Sequence, residues 1–408
     1  MKDDKNFCMA LWMHLHVIND GRSFPCCHTP LKDEYSLGNV NDKTLIEIIN
    51  DDKAKEMRRG MMAGKELPES CHRCVDKEKY GLSSMRTGFN DSWYDDELIK
   101  NTLPDGTITD FKLKFWDFRF SNYCNLACDT CGPLFSTKWA NDHKELHPNA
   151  PFNKPLVDLS NADIFWKDID QYIPSVKEIH FAGGEPMIMS EHWRVLDMLD
   201  KKKQYDVGLR YSTNATMMDQ PKHDPFQYWK KFRDVHLSVS IDAANDAFEY
   251  IRYGGKWSST LKNLTKIRES GVGYWIHPTI SNLNIFRITE LHEILENNDI
   301  IPILDDIMIP EYWIRRMHMN VLFVPSRYSI TTLPKELKEQ ASEKIYSYGK
   351  QLEQKKGVPF TGWQSVLDYM NGNDDSHLFG EFIRYSKRLD EIRNRDFLKI
   401  NPEFKGFF

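Results

Sequence analysis

Cys124, Cys128 and Cys131 lie in the run Asn122-Tyr-Cys-Asn-Leu-Ala-Cys-Asp-Thr-Cys131, directly after a stretch that reads as a β-strand. Three thiols at spacings of four and three, on one loop, can converge on one metal centre. A structural zinc or a saturated cubane takes four protein ligands, whereas a four-iron cluster held by three thiolates keeps one iron open for chemistry. A second set lies upstream: Cys8, Cys26, Cys27 and the pair Cys71-His-Arg-Cys74. From Gly132 to Phe408 there is no cysteine. That segregation is not what small buried apolar thiols produce.

The composition narrows the setting. The 408 residues carry 54 basic and 60 acidic side chains, a net charge of -6, so nothing favours a nucleic acid or another polyanion as partner. Lys201-Lys202-Lys203, the densest basic cluster, reads as a solvated helix end. The start, Met1-Lys-Asp-Asp-Lys-Asn, is unlike a signal peptide, and no apolar run approaches a membrane span. The expectation is a cytoplasmic protein whose thiols stay reduced and available to metals.

The elements that must position these residues fall into three regions: 1–108, 109–330 and 331–408. In the first, Leu11, Met13, Leu15 and Val17 alternate before Asn19-Asp20-Gly21, predicting a hairpin over 11–28, with a bend between Cys8 and Leu15 to bring the first thiol back. A helix capped by Asp42 and a second over about 53–62, ending at Gly64, should follow. Residues 75–108 read as polar loop, with Leu103-Pro-Asp-Gly106 a turn.

From 111 the pattern becomes strands alternating with helices, the signature of a parallel α/β sheet or barrel. Strands are expected at 113–120, 177–182, 207–213, 235–241, 273–280 and 318–324, and helices near 133–144, 190–202, 258–269 and 286–298. Each strand has an apolar and a polar side; strand 235–241 sets Val235, Leu237, Val239 and Ile241 against His236, Ser238 and Ser240. Helices would cover the apolar face, leaving the polar one to line a wet lumen. The alternative is a half-exposed antiparallel sheet. The tail from Leu333 reads as a helical extension, with Phe382, Tyr385, Leu389 and Ile392 near helical spacing, covering one edge of the sheet.

Three motifs follow strand ends, where α/β folds bind ligands. Ala182-Gly183-Gly184-Glu185-Pro186 offers paired glycines that let a ligand approach the backbone and leave its polar groups free. Thr213-Asn214-Ala215-Thr216 follows the next strand, and Asp242, then Glu249 and Arg252, the one after.

Residues 111–330 with these motifs resemble the radical S-adenosylmethionine (radical SAM) superfamily, and the resemblance implies a partial (βα)6 barrel. It implies that Cys124, Cys128 and Cys131 ligate a [4Fe-4S] cluster and that Gly183, Gly184 and Glu185 engage the methionine amino group of S-adenosylmethionine. Ser240 and Asp242 match ribose-contacting positions, Arg252 would pair with the methionine carboxylate, and Asn214 would line the same cavity. One departure is Thr130, where the family usually has an aromatic residue before the third cysteine. Cys8, Gly21, Cys26 and Cys71-x-x-Cys74 are similar to the Twitch module, the shorter form of the SPASM domain. That implies an auxiliary [4Fe-4S] cluster in a small cysteine-rich α+β module, here placed before the radical core rather than after it. Cys27 is surplus to this set or replaces Cys26, and a four-cysteine zinc site would use the same ligands.

The implied activity is reductive cleavage of S-adenosylmethionine to a 5′-deoxyadenosyl radical, followed by hydrogen abstraction from a peptide or protein, the auxiliary cluster assisting oxidation or substrate binding. The same chemistry on a small molecule, carbohydrate or nucleotide is the alternative; a non-catalytic zinc-binding interaction protein is an alternative of another class. A reductant such as flavodoxin or ferredoxin would be a partner. His180, His236, His277, Arg119 and Arg210 are candidates for orienting a substrate, or ordinary structural polar groups.

Overall fold

Strand β4 (Phe115–Phe118) shows how alternation builds the sheet: Trp116 and Phe118 are buried on one side and Asp117 on the other. The computed structural model describes residues 1–79, 84–150, 155–220, 223–301, 317–356 and 363–408. The chain divides into two units. One comprises Met1–Tyr123, Leu156–Tyr211 and Pro225–Val235; the other comprises Cys124–Pro155, Ser212–Asp224 and His236–Phe408.

In the first unit, β1 (His14–Val17), β2 (Arg22–Phe24), β3 (Gly38–Asn39), β4, β5 (Glu178–Phe181) and β6 (Gly208–Thr213, whose last two residues belong to the second unit) take the order β3-β2-β1-β4-β5-β6. The β1–β4, β4–β5 and β5–β6 pairs are parallel, and the β2 and β3 pairings antiparallel. The hairpin is thus continuous with the parallel sheet, and all four residues of β1 are buried. Apolar side chains point one way along the strands, with Ile179, Phe181, Leu209 and Tyr211 all buried, while His180 and Arg210 opposite are half-buried.

Several expectations change here. Leu11–Met13 is not strand: Ala10–Met13 forms a single helical turn, which is the bend that returns Cys8 towards the hairpin. The next helix, Leu45–Ile49, is capped by Thr44 and not Asp42, because Thr44 and Glu47 form a reciprocal capping box. Residues 75–108 are largely helical, in His72–Lys79, Met85–Trp93 and Asp96–Lys100, with Ser84 and Asp95 accepting the caps of the last two. Their polar composition hid narrow buried stripes at Cys74, Phe89 and Ile99. Asp52–Met62 and Ser190–Lys201 form as expected.

In the second unit, β7, which begins in the first at Asp234–Val235 and runs to Val239, pairs in parallel with β8 (Gly273–Ile276). The expected strand 273–280 breaks at Pro278, which has no N–H to give a ladder, and resumes as β9 (Thr279–Ile280). Of the expected strand 318–324 only β10 (Asn320–Val321) forms, paired in parallel with β9. Helices Trp257–Ser270 and Ile288–Asn297 lie between the strands, and the stretch 133–144 becomes a short turn and the helix Ala140–Leu146. The helical tail comprises Lys335–Lys356, Gln364–Gly372, Phe379–Arg393 and Phe397–Ile400, with Phe382 and Leu389 fully buried. Among the described residues, no helix is long and apolar enough to cross a membrane.

Candidate functional site

The three-cysteine loop belongs to the second unit and is held mainly by its own backbone. The amides of Ala127 and Asp129 donate to the carbonyls of Tyr253 and Ile251 (both 2.9 Å), and Cys131 N–H donates to the Cys128 carbonyl (3.0 Å). Trp139 Nε1 donates to the same carbonyl at 2.9 Å, and Ser136 Oγ to Leu126 O at 2.5 Å. The Cys131 thiol itself reaches the Gly132 carbonyl at 3.8 Å. Burial pushes the Cys128 and Cys131 thiols upward, with the Arg252 guanidinium opposing it.

Arg252 stands at the end of helix Asn245–Ile251, with Nη1 3.8 Å from the Cys128 sulfur and Nη2 2.9 Å from Asp242. Its Nε is buried and meets no acceptor among the described residues. A buried guanidinium with an idle donor beside three thiols fits an anionic ligand on a metal cluster. Asp242 is engaged on both oxygens, by Arg252 and by the Thr279 amide at 2.8 Å. Asn214 Nδ2 lies 4.0 Å from the Cys124 sulfur and 3.1 Å from Asn125 Oδ1, so it adjoins the loop. Ser240 is tied through its amide to Thr213 O, 2.9 Å.

In the first unit, Gly183-Gly184-Glu185 continues the β4–β5 ladder beyond the strand ends. The amides of Gly184 and Glu185 donate to Ser121 O and Tyr123 O, both at 2.9 Å. A Cβ on Gly184 would sit 2.1 Å from Tyr123 O, and one on Gly183, whose φ is +120°, 2.8 Å from Ser121 O. The glycines are therefore required by the approach of the chain entering the cysteine loop. The amides of Gly184 and Glu185 are committed to it, not free as the sequence suggested. Glu185 is fully buried, its side chain accepting from Met187 N at 3.2 Å.

The upstream cysteines also gather in the first unit. Burial raises Cys8, and Cys26, Cys71 and Cys74 raise it further; Cys71 is pushed up to about 12 by burial with Cys26 and Cys74. Cys74 lies 3.6 Å from His28 Nδ1, and burial holds that imidazole down at about 4. Burial raises Cys27, and Asp117 and the adjacent Cys26 raise it further, with Arg119 opposing. Among the described residues no three cysteine, histidine or carboxylate side chains close around one point tightly enough for a single ion. Thiolates around one tetrahedral zinc stand only ~3.8 Å apart, closer than around a cubane.

Asp117 centres a second polar group on the same unit's sheet: His16 Nδ1 at 3.0 Å, Arg119 Nη2 at 3.1 Å and His180 Nδ1 at 3.5 Å. Burial alone would raise its carboxyl, but Arg119 and His16 hold it well below the usual range. Arg210 pairs with Glu178 and Asp234, and His277 Nδ1 meets Ser238 Oγ at 2.8 Å, both ordinary structural contacts. His236 packs against the Trp275 ring at 4.0 Å.

With this geometry in place, a family model for the radical SAM superfamily matches residues 118–296, and one for SPASM, an iron-sulfur cluster-binding domain, matches residues 8–75. Residues 118–296 are thus similar to a radical SAM domain and residues 8–75 to a SPASM domain. GTP 3′,8-cyclase of Campylobacter lari is 26% identical over 124 residues, 30% of this chain and 33% of that protein. Mycofactocin maturase MftC of Mycolicibacterium smegmatis is 24% identical over 158 residues, 38% of this chain and 34% of that one. The chain thus spans about a third of the length of these curated relatives. Among solved structures, Streptococcus suis SuiB bound to S-adenosylmethionine is 14% identical with a TM-score of 0.36, covering 73% of this chain and 64% of that one.

A radical SAM domain implies a [4Fe-4S] cluster and S-adenosylmethionine as cofactors, and a SPASM domain implies auxiliary iron–sulfur binding. The SPASM match runs from Cys8 to just past Cys74, ahead of the radical SAM region, which replaces the zinc reading. Motif reading missed the residues that hold the cysteine loop from the tail, Arg393 and Arg395, since neither adjoins a motif. It also missed Asp129, although Asp129 lies between two of the motif's cysteines.

Proposed function

We propose that this protein is a radical enzyme that cleaves S-adenosylmethionine and abstracts hydrogen from a peptide or protein. The observation that carries the reading is the set of three thiols on one loop with the idle Nε of buried Arg252 beside Cys128. Cys124, Cys128 and Cys131 would hold the [4Fe-4S] cluster, and Cys8, Cys26, Cys71 and Cys74 the auxiliary one. When bound, the cluster and S-adenosylmethionine supply a 5′-deoxyadenosyl radical, so the difficult chemistry belongs to the cofactor.

The chain's own residues bind and orient. Arg252 would pair through Nε with the methionine carboxylate, Gly183, Gly184 and Glu185 would engage the methionine amino group, and Ser240 and Asp242 the ribose. Asn214 steadies Cys124. His180 and Arg119, fixed by Asp117, present polar groups to the substrate. None of the eight cysteines is in a disulfide, which suits a reducing, cytoplasmic compartment and reduction by a flavodoxin or ferredoxin.

The SPASM domain and the maturase among the relatives favour a peptide substrate; the GTP 3′,8-cyclases favour a second reading, a nucleotide or other small molecule. Anaerobic incubation with S-adenosylmethionine and dithionite tests the chemistry: 5′-deoxyadenosine is expected. A fully iron-loaded protein that forms none would overturn it. Deuterium transfer from labelled candidate peptides or nucleotides into 5′-deoxyadenosine separates the two substrate classes.

A further inference from the structure

Asp129, between Cys128 and Thr130, turns its carboxylate away from the thiols into a buried charge network supplied by the C-terminal tail. Arg393 Nη1 donates to Oδ1 at 2.6 Å; Arg395 donates to Oδ1 at 2.8 Å and Oδ2 at 2.6 Å, a bidentate grip. Arg393 also holds Asp142, at 2.9 Å through Nε and 2.7 Å through Nη2. Arg395 Nε donates to Asp390 at 2.9 Å and its Nη1 to Tyr250 O at 2.6 Å, and Tyr250 Oη donates to Asp390 at 2.6 Å. Both guanidinium groups can reach one carboxylate because Asn394, in the left-handed conformation (φ 50°), ends the helix between them.

Aromatic rings sandwich the charges. Arg393 lies 4.7 Å from the Trp139 ring and 4.5 Å from that of Tyr253, and Arg395 lies 4.0 Å from Tyr250. Ala127, Trp139 and Leu389 pack together, with Cys131 and Tyr385 against them. The tail therefore touches the cysteine loop through both charge and apolar packing.

A buried ion network is a poor source of net stability, since apolar residues of equal volume serve as well. What it provides is a defined geometry. The same stretch, Tyr250 to Tyr253, accepts the amides of Ala127 and Asp129 and carries Arg252 to the Cys128 sulfur. Arg393 and Arg395 lie almost a hundred residues beyond the matched radical SAM region.

We infer that Asp129, Arg393 and Arg395 are positioning residues for the radical SAM cluster, the tail latching the loop so that Cys128, Cys131 and Arg252 keep a fixed spacing. This rests on the proposed assignment of the loop as the cluster's ligand. The test uses the full chain, reconstituted anaerobically as Asp129→Asn, Asp129→Glu, Arg395→Lys and Cys128→Ala. Iron per chain and the electron paramagnetic resonance spectrum of the reduced protein, with and without S-adenosylmethionine, are measured.

Asp129→Asn is expected to weaken cluster binding by about 10- to 100-fold, the usual cost of losing a supporting partner of a metal ligand. The auxiliary iron should remain. Asp129→Glu and Arg395→Lys, which keep charge but not geometry, should load iron yet show an altered spectral response to S-adenosylmethionine. Should Asp129→Asn fail to fold, these two variants decide. Wild-type iron and spectra in both would overturn the proposal. If Cys128→Ala keeps full iron, the assignment of the loop itself fails, a result distinct from failure of the latch.

Discussion

The two cysteine sites are built in opposite ways. The loop of the second unit presents three thiols from one short stretch, pinned by its own amides, with a cation at Cys128. The first unit collects four thiols from separate segments: Cys8 before a helical turn, Cys26 after β2, and Cys71 and Cys74 at the start of a helix. Their neighbour Arg86 is committed to Glu78, and His28, lowered to about 4, is neutral near pH 7. A short loop leaves a coordination position and a cation for an anionic ligand. On the proposed assignment, four thiols drawn from distant segments would leave no such position.

The sharpest way to break this comparison is to remove one thiol from each site. Cys128→Ala should abolish 5′-deoxyadenosine formation and take away one of two cubanes, leaving about four of about eight irons. Cys74→Ala should lose the other cubane yet still cleave S-adenosylmethionine. Iron and sulfide assays with chromatography of the nucleoside distinguish them, and equal loss of cleavage in both would erase the distinction.

A large effect is expected from Gly184→Ala, whose Cβ meets Tyr123 O at 2.1 Å. Backbone cannot yield as a flexible side chain does, so denaturant unfolding should show a loss of about 1–3 kcal/mol. Cleavage of S-adenosylmethionine should fall with it.

The first unit also carries a pH signature of its own. Burial lowers His14 from near 6.5 to about 4, so between those values the unfolded chain binds the extra proton. The resulting stability is fully present above pH 6.5 and is lost as pH falls towards 4, by roughly 3 kcal/mol. His14→Leu should flatten that slope in a series of unfolding curves at different pH.

The smallest effect separates adjacent thiols. Cys27→Ser should leave the iron content unchanged, because Asp117 and Arg119 act on Cys27, whereas Cys26→Ser should lower it, because Cys74 acts on Cys26. Equal iron loss in both would remove the reason for preferring Cys26.

Much of this was legible before any coordinates, for a physical reason. Strand period and helix period are local, so Ile179 and Phe181, or Leu237 and Val239, declare a buried face by spacing alone. The errors fall where a local signal meets a competing one. Leu11–Met13 alternates like a strand but turns helical, and Pro278 cuts a strand the pattern would continue. The short helices between His72 and Lys100 bury only one to three side chains each, and in Met85–Trp93 two of the three are polar, too few apolar ones for a periodic signal.

By itself the sequence determined that three thiols share a loop, that paired glycines follow the next strand, and that a second cysteine set lies upstream. These facts depend only on covalent neighbours and element period. The tertiary structure alone decided which groups meet: Cys26 with Cys74, Cys27 with Asp117, and the Gly184 and Glu185 amides with Ser121 and Tyr123. It also brought Arg393 and Arg395 to Asp129. Such pairings join residues hundreds of positions apart, and no local pattern encodes which carboxylate a distant guanidinium will meet.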